Sequence, residues 1–126
     1  VLCLERRVPL ERLTVSSDSN GSLPVFDRAG RLVGLTIATQ RDLLRTFQSL
    51  LRRQTIGVED AAKLFSANAA AFYKLKAKGE ILLGKDADLA IFDSGWELRE
   101  VFALGRRLMA DGKVTARGTF SPAGEG

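Results

Sequence analysis

Leu13-Thr14-Val15-Ser16-Ser17-Asp18, continued by Ser19-Asn20-Gly21-Ser22, is the stretch on which the reading of the fold turns. A short run with β-branched residues that ends in small polar side chains reads as a buried strand carrying a polar group out at its carboxyl end. In α/β folds the crevice beyond the carboxyl ends of the strands is where ligands bind. Asp18 alone is a modest signal, because an aspartate at a strand end more often forms a turn or caps a helix. Gly21 lets the backbone turn sharply and Ser22 offers a hydroxyl four residues on, so the set reads either as a polar pocket or as a satisfied turn.

Downstream, Pro24-Val25-Phe26, Asp27-Arg28-Ala29-Gly30 and Arg31-Leu32-Val33 have the form of a β-hairpin: two apolar arms about a polar loop that ends in glycine. It is expected to lie close to Asp18. Thr39-Gln40-Arg41-Asp42 begins like a capping box, and Leu43, Leu44, Phe47, Leu50 and Leu51 then recur at helical spacing, predicting a helix over about 40–53. Gly57-Val58-Glu59-Asp60 opens a second helix with acids in its first turn. Its expected apolar face is Ala61, Leu64, Phe65 and Phe72, with a weakening near Asn68.

After Gly79 the texture changes. Glu80-Ile81-Leu82-Leu83, Asp88-Leu89-Ala90-Ile91-Phe92-Asp93, Val101-Phe102-Ala103 and Arg107-Leu108-Met109 are short apolar runs divided by Gly and Asp turns, which predicts antiparallel β-structure. Asp111-Gly112 is a strong tight-turn dipeptide before Lys113-Val114. The tail 121–126 lacks apolar content and reads as disordered. Upstream, Val1-Leu2-Cys3-Leu4 reads as the end of an amphipathic helix running into Val8-Pro9, so the chain is expected to be part of a longer protein.

Composition sets the limits. The 126 residues suit one domain or a piece of one, and 45% apolar with 27% charged residues is ordinary for a folded chain. There are 19 Lys and Arg against 15 Asp and Glu, and no histidine. Without imidazole the chain cannot by itself build a histidine-based triad or most zinc hydrolase sites. With Cys3 as the one cysteine it forms no intrachain disulfide and no cysteine zinc cluster. No apolar run approaches a membrane span and the start lacks signal-peptide order, so a soluble, cytoplasmic protein is expected.

Several segments together resemble a known family: Thr14-Val15-Ser16-Ser17-Asp18, Gly21-Ser22 and Pro24 before the hairpin, then Ser66-Ala67-Asn68, Leu75-Lys76 and Lys78-Gly79-Glu80-Ile81. Gly84-Lys85-Asp86-Ala87-Asp88-Leu89, Asp111-Gly112-Lys113 and Arg117-Gly118-Thr119-Phe120 complete the set. The whole resembles the carboxyl-terminal third of isoaspartyl dipeptidases, within the metal-dependent amidohydrolase superfamily. The Lys78 to Leu89 run is similar to many amidohydrolases, including deacetylases, dihydroorotases and hydantoinases. The Ser17-Asp18-x-x-Gly21-Ser22-x-Pro24 run and the Arg117-Gly118-Thr119-Phe120 ending point to the isoaspartyl branch. Ala69 departs from the proline that often follows the Ser-x-Asn segment.

The resemblance implies an α/β fold: the carboxyl-terminal fragment of a (β/α)8 TIM-type barrel followed by strands of an added β-sandwich. Residues 1–78 would hold the last barrel strand and helices, and 79–120 the sandwich strands. Asp18 would then match the last-strand aspartate that ligates one zinc of a binuclear pair and shuttles a proton from the attacking water to the departing amine. Ser22, supported by the Gly21 backbone, would bind a carboxylate of a β-aspartyl dipeptide. The histidine ligands, the metal-bridging residue and the substrate-binding arginines and tyrosine would lie earlier in the parent. This chain alone is expected to be inactive, and the full-length protein to form a homo-oligomer. The alternatives are another amidohydrolase, of N-acyl deacetylase or cyclic amidase type, and an inactive truncated fragment.

Other features are set aside. Arg41, Arg45, Arg52 and Arg53 along one helix, with Lys74, Lys76 and Lys78 after the next, invite a nucleic-acid reading at an isoelectric point of about 9.6. No aromatic platform interleaves with them, and they read as a solvated face. Asp86 and Asp88 have the spacing of a metal pair but read as turn formers. Cys3 reads as packing, Trp96 as a cover for the sandwich, and Tyr73 as a helical residue outside the site.

Overall fold

The structure, a computed structural model, describes residues 6–116. The expectations for Cys3 and its helix, for Arg117-Gly118-Thr119-Phe120 and for the tail fall outside them. A 3-10 turn (Leu10–Arg12) leads into Leu13-Asp18, followed by an antiparallel pair, β1 (Ser22–Phe26) and β2 (Leu32–Ile37). Helix α1 (Arg41–Arg52) comes next, then a continuous helical run of α2 (Val58–Ala62), a π-helical segment (Lys63–Ala67) and α3 (Asn68–Phe72). The chain closes with a four-stranded antiparallel sheet in sequence order: β3 (Leu89–Phe92), β4 (Leu98–Ala103), β5 (Arg106–Ala110) and β6 (Lys113–Val114).

The predicted strand at Leu13-Asp18 is corrected: it joins no sheet. A strand is completed by ladder bonds to a neighbour, and no strand among the described residues runs beside this one. The Val15 N–H donates instead to the Leu64 carbonyl at 3.2 Å. The side-chain pattern of a strand persists all the same. Leu13, Val15 and Ser17 are half-buried while Thr14, Ser16 and Asp18 are exposed, an alternation of period two.

The hairpin forms as expected. The Asp27 carboxylate accepts from the Ala29 and Arg31 N–H groups at 2.9 Å each, and Gly30, at φ 76°, supplies the left-handed position of the loop. Helix α1 also forms within the expected limits. The Asp42 carboxylate accepts from the Thr39 N–H at 2.8 Å, which is half of a capping box. The other half is missing, because the Thr39 hydroxyl also donates to Asp42 rather than accepting from the helix backbone.

The core is small. Ala38, Leu51, Ala61, Leu64 and Ala70 are its buried apolar residues among those described, and the alanines let backbones approach closely. Phe47 of α1 ties the layers together, meeting Phe65 edge-on at 5.4 Å between ring centres and Phe92 of β3 at 5.2 Å. Buried Gln48 donates to the Trp96 carbonyl at 2.7 Å, and Arg52 donates to the Gly95 carbonyl at 3.1 Å and pairs with Glu97. Trp96 is thus a half-buried turn residue whose backbone is fastened to α1.

Two further expectations are corrected. Phe72 is 74% exposed and packs edge-on against Tyr73. In the π segment the Asn68 N–H bonds to the Lys63 carbonyl, five residues back, so the later residues rotate off an uninterrupted 3.6-residue period. Ala70 is buried in place of Phe72. Glu80-Ile81-Leu82-Leu83 is no strand, and its apolar side chains face solvent, Ile81 at 85% exposure. The run joins neither the β1–β2 pair nor the β3–β6 sheet, so among the described residues it has no ladder partner. Asp111 and Gly112 adopt φ 49° and 76°, the tight turn their sequence predicts. Leu104-Gly105 makes a similar turn, with φ of 50° and 74°.

Candidate functional site

Asp18 lies at the root of the hairpin rather than on a paired strand tip. It has a left-handed backbone, φ 47°, and its carbonyl accepts the Gly21 N–H at 2.8 Å, closing a tight turn. That turn is fastened on its far side. The Asn20 N–H donates to the Ala38 carbonyl at 3.0 Å, and the Ala38 N–H donates to the Gly21 carbonyl at 3.1 Å. Ala38, the residue after β2, is 3% exposed, so the clamp is rooted in the core. Ser22 begins β1, opposite Ile37, and is exposed.

Gly21 touches Asp18 directly. A Cβ placed at Gly21 would stand 2.8 Å from the Asp18 carbonyl oxygen, 2.8 Å from Oδ2 and 2.9 Å from Cγ. The structure therefore gathers Asp18, Gly21 and Ser22 into one short exposed turn. The Asp18 carboxylate and the Ser22 hydroxyl make no hydrogen bond to the described residues. Chemically this is a solvent-facing carboxylate, able to accept a proton or ligate a cation, with a hydroxyl donor close by in the chain.

Asp86 and Asp88 are engaged elsewhere. Lys78 donates to Asp86 at 2.9 Å and to Asp88, whose other oxygen accepts the Leu104 N–H at 2.7 Å. The hydrogen bond to Asp88 and then that to Asp86 hold Lys78 above its usual pKa, and the bond to Lys78 followed by the Leu104 N–H holds Asp88 below its own. One ammonium bridges both carboxylates, which makes a latch between the chain after α3 and the β4–β5 turn. Among the described residues no group of three or more His, Cys, Asp or Glu could hold a metal ion. Arg45 pairs with Asp42 and Arg52 with Glu97, so two of the four helical arginines have acidic partners.

The parts played by Ala38 and Asn68 are not legible in the sequence. Ala38 carries no sequence signal, since its part is played by its backbone. Asn68 donates both amide hydrogens, at 2.7 Å each, to the Leu10 and Leu13 carbonyls and so holds the segment that leads to Asp18. At the expected weak point near Asn68 the helix is not broken: the π segment Lys63–Ala67 passes directly into α3. A broad apolar cleft of about 820 Å³ lies between α1, the helical run and β3, lined by Leu43, Leu44, Phe47, Phe65, Ile81 and Phe92. Asp18, Gly21 and Ser22 are not part of it.

The described residues form a mixed helix-and-sheet structure with antiparallel sheets, and this structure matches parts of amidohydrolase TIM-barrel proteins. The amidohydrolase family model matches residues 7–115, and the chain belongs to that family. It superimposes on a beta-aspartyl dipeptidase from Fervidobacterium islandicum AW-1 in complex with beta-Asp-Leu dipeptide, at 32% identity and a TM-score of 0.77. The match covers 94% of this chain and 30% of that one. The fold is also similar to that of an N-acetylglucosamine-6-phosphate deacetylase from Thermotoga maritima, at 18% identity and a TM-score of 0.63, over 86% of this chain and 34% of the deacetylase. The chain thus spans about a third or less of the length of these proteins. No described helix is long and apolar enough to cross a membrane.

Proposed function

We propose that this chain is the part of a β-aspartyl dipeptidase that carries Asp18, and that the full-length protein hydrolyses the amide bond between the aspartyl side-chain carboxyl and the next residue. The observation that carries this reading is the turn itself: an outward carboxylate at Asp18, locked by Gly21 and Ala38, with Ser22 four residues on. The 32% identity to a beta-aspartyl dipeptidase crystallised in complex with beta-Asp-Leu dipeptide supports it. Residues up to 78 would complete the barrel in this scheme, and those after it would build the added sheet.

A zinc pair fits this chain only in part. Asp18 offers an exposed carboxylate of suitable chemistry, but it is a single ligand in a chain without histidine. The remaining ligands would come from outside these residues, and the chain alone would be inactive. Bound zinc would supply Lewis acidity toward the scissile carbonyl and a more acidic water. Asp18 would accept the proton of the attacking water at a carboxylate oxygen and return it to the departing amine nitrogen. Ser22 would donate its hydroxyl to a substrate carboxylate, orienting the dipeptide.

The test uses the full-length protein and β-aspartyl dipeptides. Asp18→Ala should lower kcat by about 10³-fold, within the usual range for loss of a positioned acid/base group. Ser22→Ala should raise KM about tenfold, as expected for one hydrogen bond to a charged group. Turnover that survives Asp18→Ala, or a preference for N-acetylated sugars over β-aspartyl dipeptides, would refute the reading.

A further inference from the structure

We infer that Gly21 is a positioning residue for Asp18 rather than a substrate contact, a refinement that rests on the proposed role of Asp18. The space where a Gly21 side chain would begin is already filled by Asp18, whose carbonyl oxygen and Oδ2 both lie 2.8 Å from the ideal Cβ, with Cγ at 2.9 Å. Real Cβ atoms do not approach other heavy atoms so closely. The missing side chain therefore makes room for one particular placement of the carboxylate.

A methyl group at Gly21 can be accommodated in two ways, and both displace Asp18. Moving the Asp18 carbonyl breaks the 2.8 Å bond from the Gly21 N–H and opens the turn, in which Asp18 already holds φ 47° and Asn20 φ 68°. That route is resisted because both Asn20 and Gly21 are bonded to the buried Ala38. The other route swings the carboxylate about its own side-chain bonds, away from the site it is proposed to serve. Gly21 is not at a positive φ, so its need for glycine is steric and directed at Asp18. Its carbonyl and N–H are both engaged within the turn and clamp, leaving no backbone donor there for substrate.

The experiment compares Gly21→Ala with the wild type in the full-length protein, measuring kcat and KM for a β-aspartyl dipeptide, zinc affinity by chelator competition, and thermal unfolding. Displacement of the carboxylate by about 1 Å predicts a kcat about 10²-fold lower, with KM changed less than about threefold. Zinc affinity should fall by about tenfold or more, as for other groups that orient a ligand. Placed on top of Asp18→Ala, Gly21→Ala should alter zinc affinity by less than about twofold, because there is no carboxylate left to displace. A raised KM with unchanged kcat, or an equal loss of zinc affinity in both backgrounds, would overturn the inference. If Gly21→Ala alone does not fold, the pair with Asp18→Gly should recover part of the lost stability, since the crowded carboxylate disappears and a glycine at 18 lets the remaining main-chain carbonyl shift without left-handed strain; a pair folding no better than the single variant would also overturn it. Full turnover and zinc affinity in Asp18→Ala would instead sink the proposed role of Asp18, while the unfolding temperatures would still show whether Gly21 and Asp18 are coupled.

Discussion

Asn68 offers the sharpest test of how the segment bearing Asp18 is held. Its amide nitrogen donates one hydrogen to the Leu10 carbonyl and the other to the Leu13 carbonyl, each at 2.7 Å, and the site is half-buried. At about 1 kcal/mol net for each bond, Asn68→Ala should cost about 2 kcal/mol. Asn68→Asp is more informative, because it keeps the shape while replacing the donor with a carboxylate that faces two carbonyl oxygens. Its cost should exceed that of alanine by about 1–3 kcal/mol, the penalty for leaving polar groups unsatisfied and opposed. A helix dipole does not rescue the aspartate, since the Asn68 N–H is already bonded to Lys63 inside a continuous helical run. Urea unfolding of the full-length variants measures both costs. Steady-state kinetics should show lower kcat for both, because one held carbonyl opens the Leu13-Asp18 segment and the other lies three residues before it. An alanine variant within about 0.5 kcal/mol of wild type, or an aspartate variant no worse than alanine, would refute the reasoning.

Gly79→Ala should destabilise by about 2–4 kcal/mol in thermal or urea unfolding, because Gly79 sits at φ +89° and its Cβ would lie 2.6 Å from that of Ala70. Gln54→Gly and Lys74→Gly should each stabilise by up to about 1 kcal/mol in the same assay, since these residues close α1 and α3 at φ 52° and 58°, where glycine is unstrained. Lys78→Met should lower the melting temperature less in high salt than in low, because the latch is an exposed ion pair. Asp88, depressed below its usual 3.8, contributes fully above its unfolded-state pKa, and that contribution is lost as pH falls through the folded value. Lys78, raised above 10.5, contributes fully below its unfolded-state pKa and loses that contribution as pH rises through its folded value. Stability owed to the latch should therefore be flat between about pH 5 and 9 and decline outside, and a wild-type and Lys78→Met difference that changes within that window would refute the assignment.

What could be read from the sequence was local. The hairpin loop, the Asp42 contact to Thr39, the span of α1 and the Asp111-Gly112 turn all depend on residues a few positions apart, and each appears in the structure. The failures share a different cause. An apolar run becomes a strand only when a neighbour completes its ladder, and a single-sequence pattern does not reveal whether that neighbour is present. Leu13-Asp18 and Glu80-Leu83 both have the composition of strands and both lack a described partner. Phe72 failed for a subtler reason: one π turn shifts the phase of every later residue, and the pattern before the turn carries no record of it.

The site divides along the same line. Asp18, Gly21 and Ser22 were legible because only four residue steps separate Asp18 from Ser22, which keeps them close whatever the rest of the fold does. Their clamp was not, because Ala38 acts through main-chain groups that every residue possesses, and only the hairpin register brings it opposite Gly21. This accounts for how the turn can be ordered while the expected strand before it is unpaired. The carboxylate is placed by the hairpin on one side and by Asn68, through Leu10 and Leu13, on the other. If so, changes that loosen the hairpin without touching Asp18 should reach the carboxylate through Ala38. Asp27→Ala removes the acceptor for the Ala29 and Arg31 N–H groups at the far end of β1 and β2, and should increase hydrogen exchange at the Asn20 and Ala38 amides. Unchanged protection at both amides would mean that the turn holds itself without the hairpin.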